Sequence, residues 1–101
     1  MGKDKNNMEK VTFKSFPEYY EKEKSGIKNN TVRCWERFDK RFKLLNDFKG
    51  DFIDELYIEV INKETKESFV RKVRDVTLCV FDGKLLYIIT WDDKEVENEK
   101  N

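Results

Sequence analysis

Residues 68–81 read SFVRKVRDVTLCVF, and the phase of their apolar positions decides the fold. Phe69 and Val73 lie on odd numbers, whereas Val76, Leu78 and Val80 lie on even ones. Side chains alternate faces along a strand, so a phase change inside one strand marks a β-bulge or a bend. The stretch predicts a long, bent strand. Immediately after it, Asp82-Gly83 supplies the residue types of a tight hairpin turn, and LLYIITW (85–91) reads as the last and most buried strand. Before it, ELYIEVINK (55–63) alternates Leu56, Ile58 and Val60 against Tyr57, Glu59 and Ile61, and KETKE is a turn. The second half of the chain is thus a three-strand meander.

The first half alternates between strand and helix. KVTFK (10–14) reads as a strand. Ser15-Phe16-Pro17-Glu18 has the form of a capping box with Pro at an early helical position. The helix it opens runs to about Ser25, Gly26 closes it in the left-handed conformation, and Phe16, Tyr20 and Ile27 share its buried side. TVRCW (31–35) is a second strand. In ERFDKRFKLLNDF, Phe38, Phe42 and Leu45 fall at helical spacing, predicting a short amphipathic helix ended by Gly50. This order implies an α+β domain: a small mixed β-barrel, closed or half-closed, of five to six strands with two short helices, the first lying across one opening. An open α+β sheet is the alternative. Residues 10–93 form the single domain. Residues 1–9 are expected to be a disordered tail, and 94–101 an acidic one.

A chain of 101 residues supports one domain, and eight Phe, four Tyr and two Trp supply the large side chains that so small a core needs. The 21 basic residues balance the 21 acidic ones, so information lies in their distribution. Residues 22–43 hold eight Lys/Arg against three Asp/Glu, a net +5. Residues 44–69 hold three against seven, a net −4, and residues 92–101 two against five, a net −3. A positive patch attracts phosphate; the same runs also read as solvated faces. Cys34 and Cys79 make neither a disulfide framework nor a CxxC pair, and there is no His. No metal and no cofactor are therefore expected, the usual general base is missing, and both thiols are expected to be reduced and packed as small apolar groups. No apolar run reaches membrane-spanning length, so no membrane association and a cytoplasmic location are expected.

Candidate site residues cluster in SGIKNNTVR (25–33). On a strand period Thr31, Arg33 and Trp35 face one way, and Val32 and Cys34 the other, the side that suits the core. Thr31 and Arg33 then sit side by side on the opposite surface, and Lys28 reaches them from the loop. A guanidinium offers a flat fork to phosphate or carbonyl groups and an ammonium a point charge. The same residues also read as a helix C-cap, a turn and an ordinary edge strand. Trp35 and Trp91 can stack on bases or serve the core, and RKVR (71–74) can touch phosphate or form a charged strand face.

The spacing G-x-K-x-x-T-x-R, here Gly26, Lys28, Thr31 and Arg33, resembles the signature of the ASCH domain family of the PUA-like superfamily. VTFK resembles the family's first barrel strand, FPEYYEKEKS its first helix and LLYIITW its final strand, so the resemblance covers about residues 10–92. The chain is similar to small phage and prophage proteins of this type. The resemblance implies a PUA-like barrel with a cleft at the motif and RNA or nucleotide ligands at Lys28, Thr31, Arg33 and Trp35. The bacterial acetylcytidine amidohydrolases share the Lys and Thr. That branch implies Thr31 as nucleophile and Lys28 as its base, together with a Glu from a long insertion before the last strand. In this chain only Asp82-Gly83-Lys84 joins those strands, so little or no hydrolysis of acylated cytidines is expected.

Three function classes follow. The first is a nucleic-acid or nucleotide-binding module, with RNA favoured. The second is an amidohydrolase-like enzyme in the same cleft. The third is a phage accessory or inhibitor protein that acts in the host cytoplasm and uses its acidic segments against a host protein.

Overall fold

The computed structural model describes residues 9–94. The expected tails lie outside that range, except that Glu9 begins the first strand and Lys94 closes the described chain. The elements are β1 (Glu9–Ser15), α1 (Pro17–Ser25), β2 (Asn30–Cys34), α2 (Lys40–Lys49), β3 (Leu56–Asn62), β4 (Ser68–Phe81) and β5 (Lys84–Trp91). They form an α+β fold with one five-stranded mixed sheet in the order β1-β3-β4-β5-β2. β1 runs parallel to β3 and every other pairing is antiparallel.

The bend in β4 lies where its sequence phase changes. The N-terminal half of β4 pairs with β3, Tyr57 opposite Lys72 and Ile61 opposite Ser68. The C-terminal half pairs with β5, where the register slips between Val73 and Asp75 and leaves Arg74 as the extra residue. Phe69 and Val73 point into the core before the bulge, and Val76 after it. Leu78 continues that phase, whereas Val80, at the hairpin tip, is exposed. Both Asp82 and Gly83 adopt positive φ, 54° and 75°, as a tight hairpin turn requires.

The bulge curls the sheet without closing it. β1 and β2 are its two edges and do not pair, so the expected barrel, closed or half-closed, is corrected to a curled, open sheet. The core fills the concave side: Leu56, Ile58 and Val60 of β3, Tyr87, Ile89 and Trp91 of β5, Val11 and Phe13 of β1, and Tyr20, Phe42 and Leu45 from the helices. Aromatic rings meet edge-on through it, Phe42 against Tyr87 and Phe69 against Trp91.

Several local expectations are also corrected. Ser15 belongs to β1 and makes no capping box. Phe16 is the N-cap of α1 and has no side-chain cap bond, while Pro17 and Gly26 (φ 91°) open and close the helix as read. Of that helix's expected apolar side only Tyr20 is buried, and Phe16 and Ile27 are exposed. α2 starts at Lys40, because the Asp39 side chain accepts the Arg41 N–H and fixes the cap there. Phe38 is left outside the helix. The two thiols are exposed rather than packed.

Candidate functional site: the seam between the sheet edges

The faces of β2 are the reverse of the expectation. Thr31 pairs with Ile89 and Arg33 with Tyr87. Directly opposite residues share a face, and Ile89 and Tyr87 are core residues. The register therefore turns Thr31 and Arg33 inward and Val32 and Cys34 outward. The hydroxyl and the guanidinium line the concave side at the seam where β1 and β2 approach without pairing.

Arg33 bridges that seam. Its Nε donates to Thr31 Oγ1, its Nη1 to the Lys14 carbonyl and its Nη2 to Ser15 Oγ, each at 3.0 Å. Arg41 does the same further along β1, donating from Nη1 to the Thr12 carbonyl at 2.8 Å while its other nitrogens hold Asp39. Two guanidiniums thus occupy edge carbonyls that a sixth strand would otherwise engage. Both also lie over the ring of Phe13, at 4.9 and 4.2 Å from its centroid.

Gly26 turns the chain out of α1, and the Lys28 N–H returns to the Lys22 carbonyl. Lys28 Nζ reaches Glu23 Oε2 at 3.4 Å. Glu23, only 1% exposed, also accepts from Ser15 Oγ at 2.9 Å. The result is one polar chain: Lys28, Glu23, Ser15, Arg33, Thr31. Ser15 donates to the carboxylate and accepts from the guanidinium, which uses a hydroxyl in both of its capacities. Opposite this chain, Asn29 is bonded in both directions to the backbone of Trp91, tying the loop to the end of β5.

Sequence reading missed Glu23, which stands in the charge run EKEKS. The available signal was its place three residues after Tyr20, on the same helical face as a buried aromatic. Three of the expected site residues, Lys28, Thr31 and Arg33, do converge, and they line one cavity of about 270 Å³. Trp35 lies outside that lining, and its N–H continues the β2–β5 ladder to the Leu85 carbonyl. A second cavity of about 560 Å³ shares Lys14, Phe16, Val32 and Arg33 with the first and adds Arg41 and Lys63. Together they make a two-lobed cleft along the seam with Arg33 at the junction. Trp91 is core, and Arg71 of the RKVR stretch is buried, holding the Lys24 carbonyl and so tying α1 to β4.

The charges in the cleft are unequally satisfied. Arg41 is paired with Asp39, and Lys28 with Glu23. Among the described residues Arg33 bonds only to neutral oxygens, and no carboxylate forms an ion pair with it. Burial pulls its pKa below the ordinary arginine value, Glu23 pushes it up, and Arg41 adds a further downward push. A guanidinium stays protonated throughout, so the charge persists. It carries five N–H donors; three are used and one on each Nη is left.

For nucleophilic chemistry the arrangement is ill-suited. Thr31 is buried and its hydroxyl oxygen is taken by Arg33. Lys28 is held by Glu23, and no hydrogen bond joins Lys28 to Thr31 among the described residues. In the same range no group of three or more His, Cys, Asp or Glu is placed to hold a metal ion, and no helix is long and apolar enough to cross a membrane. Comparison with protein-family models, curated proteins and solved structures returned no match to this chain.

Proposed function

We propose that the chain is a nucleic-acid or nucleotide-binding module whose seam cleft takes a phosphate-bearing ligand, RNA foremost. The observation that carries the reading is Arg33: a cation fixed by three neutral acceptors, with no carboxylate paired to it among the described residues, at the junction of two cavities. An anion arriving there gains charge-assisted bonds to a group already immobilised, so little ordering is required of the protein. Lys14 and Lys63 on the rim add to the field. The G-x-K-x-x-T-x-R resemblance to ASCH domains supports the same ligand class.

The test is a titration of labelled oligonucleotide and of mononucleotide at low and moderate salt. Affinity is expected to fall with salt as phosphate contacts release counterions. Arg33→Lys, which keeps the charge and loses the fork, is expected to weaken binding about tenfold or more, as loss of a charge-assisted bond of roughly 1.5–3 kcal/mol implies. Parent-like binding by Arg33→Lys, or no binding by the parent at micromolar concentration, contradicts the reading.

A second reading, an accessory or inhibitor protein directed at a host protein, is favoured by one feature. Phe52 is exposed, and its sequence neighbours Asp51 and Ile53 line a cavity of about 300 Å³ that also takes Asp54 and Asp75 together with the cations Lys49 and Arg74. It implies that neutralising Asp51 and Asp54 abolishes partner capture while nucleotide affinity is absent from the parent.

A further inference from the structure

The loop between β2 and α2, WERFD (35–39), contributes Glu36 to the lining of the larger lobe of the cleft, and the residues that flank the loop, Cys34 and Arg41, line it too. Phe38 in this loop is 94% exposed. Its backbone is left-handed, at φ 67°. That conformation suits Gly or Asn and is an outlier for a bulky residue. Exposure gives the ring no burial to compensate the backbone strain. Residues held in such conformations concentrate at ligand clamps and switches.

The neighbours of Phe38 share its character. The Arg37 guanidinium lies 5.8 Å from the Phe38 ring centroid. Trp35, also exposed, has the strand parity of Thr31 and Arg33, two positions beyond Arg33. A two-residue step along a strand is roughly 6.6 Å, close to the spacing of successive nucleotides in an extended single strand. Arg33 and Trp35 thus share a strand parity one such step apart, and the exposed ring of Phe38 follows three residues later in the same loop. Aromatic faces interleaved with cations are the platform on which unstacked bases bind with little sequence preference.

We propose that the cleft takes single-stranded nucleic acid several nucleotides long rather than a lone nucleotide, with Trp35 and Phe38 stacking the bases that follow the phosphate held at Arg33. This rests on the reading of the seam as a phosphate site and extends it along the loop. The Arg37 guanidinium, 5.8 Å from the Phe38 ring centroid, adds a cation beside that ring. The strained backbone at Phe38 keeps the ring presented to the ligand instead of folded into the core.

The experiment compares the affinities of a labelled short oligouridylate and of uridine monophosphate for the parent, Phe38→Asn and Arg33→Lys proteins, with melting curves for each. Asn tolerates the left-handed region, so Phe38→Asn is expected to melt at or above the parent temperature while losing affinity for the oligonucleotide about fivefold to a hundredfold, as removal of one stacking ring implies. Its affinity for the mononucleotide is expected to change much less. Arg33→Lys is expected to weaken both. If Phe38→Asn binds the oligonucleotide as the parent does while Arg33→Lys weakens it, the stacking loop is overturned and the phosphate site stands. If the parent binds neither probe, the phosphate site itself fails and the loop with it.

Discussion

Ile89 and Thr31 are cross-strand partners on one concave face, yet they belong to differently built regions. Around Ile89 the strands are paired on both sides, and it belongs to one buried apolar cluster with Leu56, Ile58, Val60 and Trp91. Around Thr31 the sheet ends. Side-chain nitrogens of Arg33 and Arg41 reach across to β1 where a ladder is missing, and a buried carboxylate and hydroxyl complete the network. The core is held by area removed from water, which is indifferent to ligands. The seam is held by directed bonds with donors left over. That difference leaves unsatisfied cationic donors gathered in one place on a chain of neutral net charge.

The comparison can be broken most forcefully on its apolar side. Trp91→Ala is expected to destabilise the fold by about 3–5 kcal/mol, the range for deleting a buried aromatic, measured by urea unfolding; a loss near that of a surface substitution contradicts the described core. On the polar side, Arg33→Ala removes three hydrogen bonds and leaves Ser15 and Thr31 partly unsatisfied. It is expected to destabilise by about 1–3 kcal/mol, less than Trp91→Ala, and to raise amide exchange in β1 before β4 and β5. Uniform exchange across the sheet contradicts Arg33 as the bridge.

A gentler probe is pH. The hydrogen bond from Arg41 holds the Asp39 carboxyl below its ordinary value, and Lys10 does the same to Glu59. A depressed folded-state value contributes stability that is present above the ordinary carboxylate range and is lost as pH falls through the folded value. Both groups attach to β1 or its arginine clamp, so β1 is expected to loosen first in acid, below about pH 4. Asp39→Asn is expected to flatten that acid limb, and an unchanged pH profile contradicts the assignment. The smallest effect is expected at Phe38. Phe38→Asn is expected to leave stability unchanged or slightly raised, and a loss above about 0.5 kcal/mol means the ring is packed in solution.

The β4 bend, the Asp82-Gly83 hairpin, the Gly26 cap and the alternation of Leu56, Ile58 and Val60 were legible because each is local. A phase, a turn residue or a period suffices. The faces of β2 were not. In TVRC either side can be inner, and Val32 and Cys34 are the more apolar choice; the register with Tyr87 and Ile89 overrides that preference. Burial of Glu23 depends on Ser15 lying opposite α1, a tertiary fact. Phe38 fits the helical period of Phe42 and Leu45, but Asp39 caps the helix one residue later and excludes it. Spacing allowed Lys28, Thr31 and Arg33 to converge, but it fitted a helix cap, a turn and an edge strand equally well, and it set Thr31 and Arg33 on the outer face; neither their inward side nor their bonding was readable.

The most direct test of the seam as the ligand site is a nuclear magnetic resonance titration of the isotope-labelled parent protein with oligouridylate at low salt, following backbone amides together with the Arg33 Nε–H resonance. Shifts are expected to centre on Arg33 Nε–H, Lys14, Lys28 and the residues 35–38, with the outward face of β4 and β5 silent. An unmoved Arg33 Nε–H, with no shifts or with shifts gathered around Asp51 to Glu55, contradicts the account.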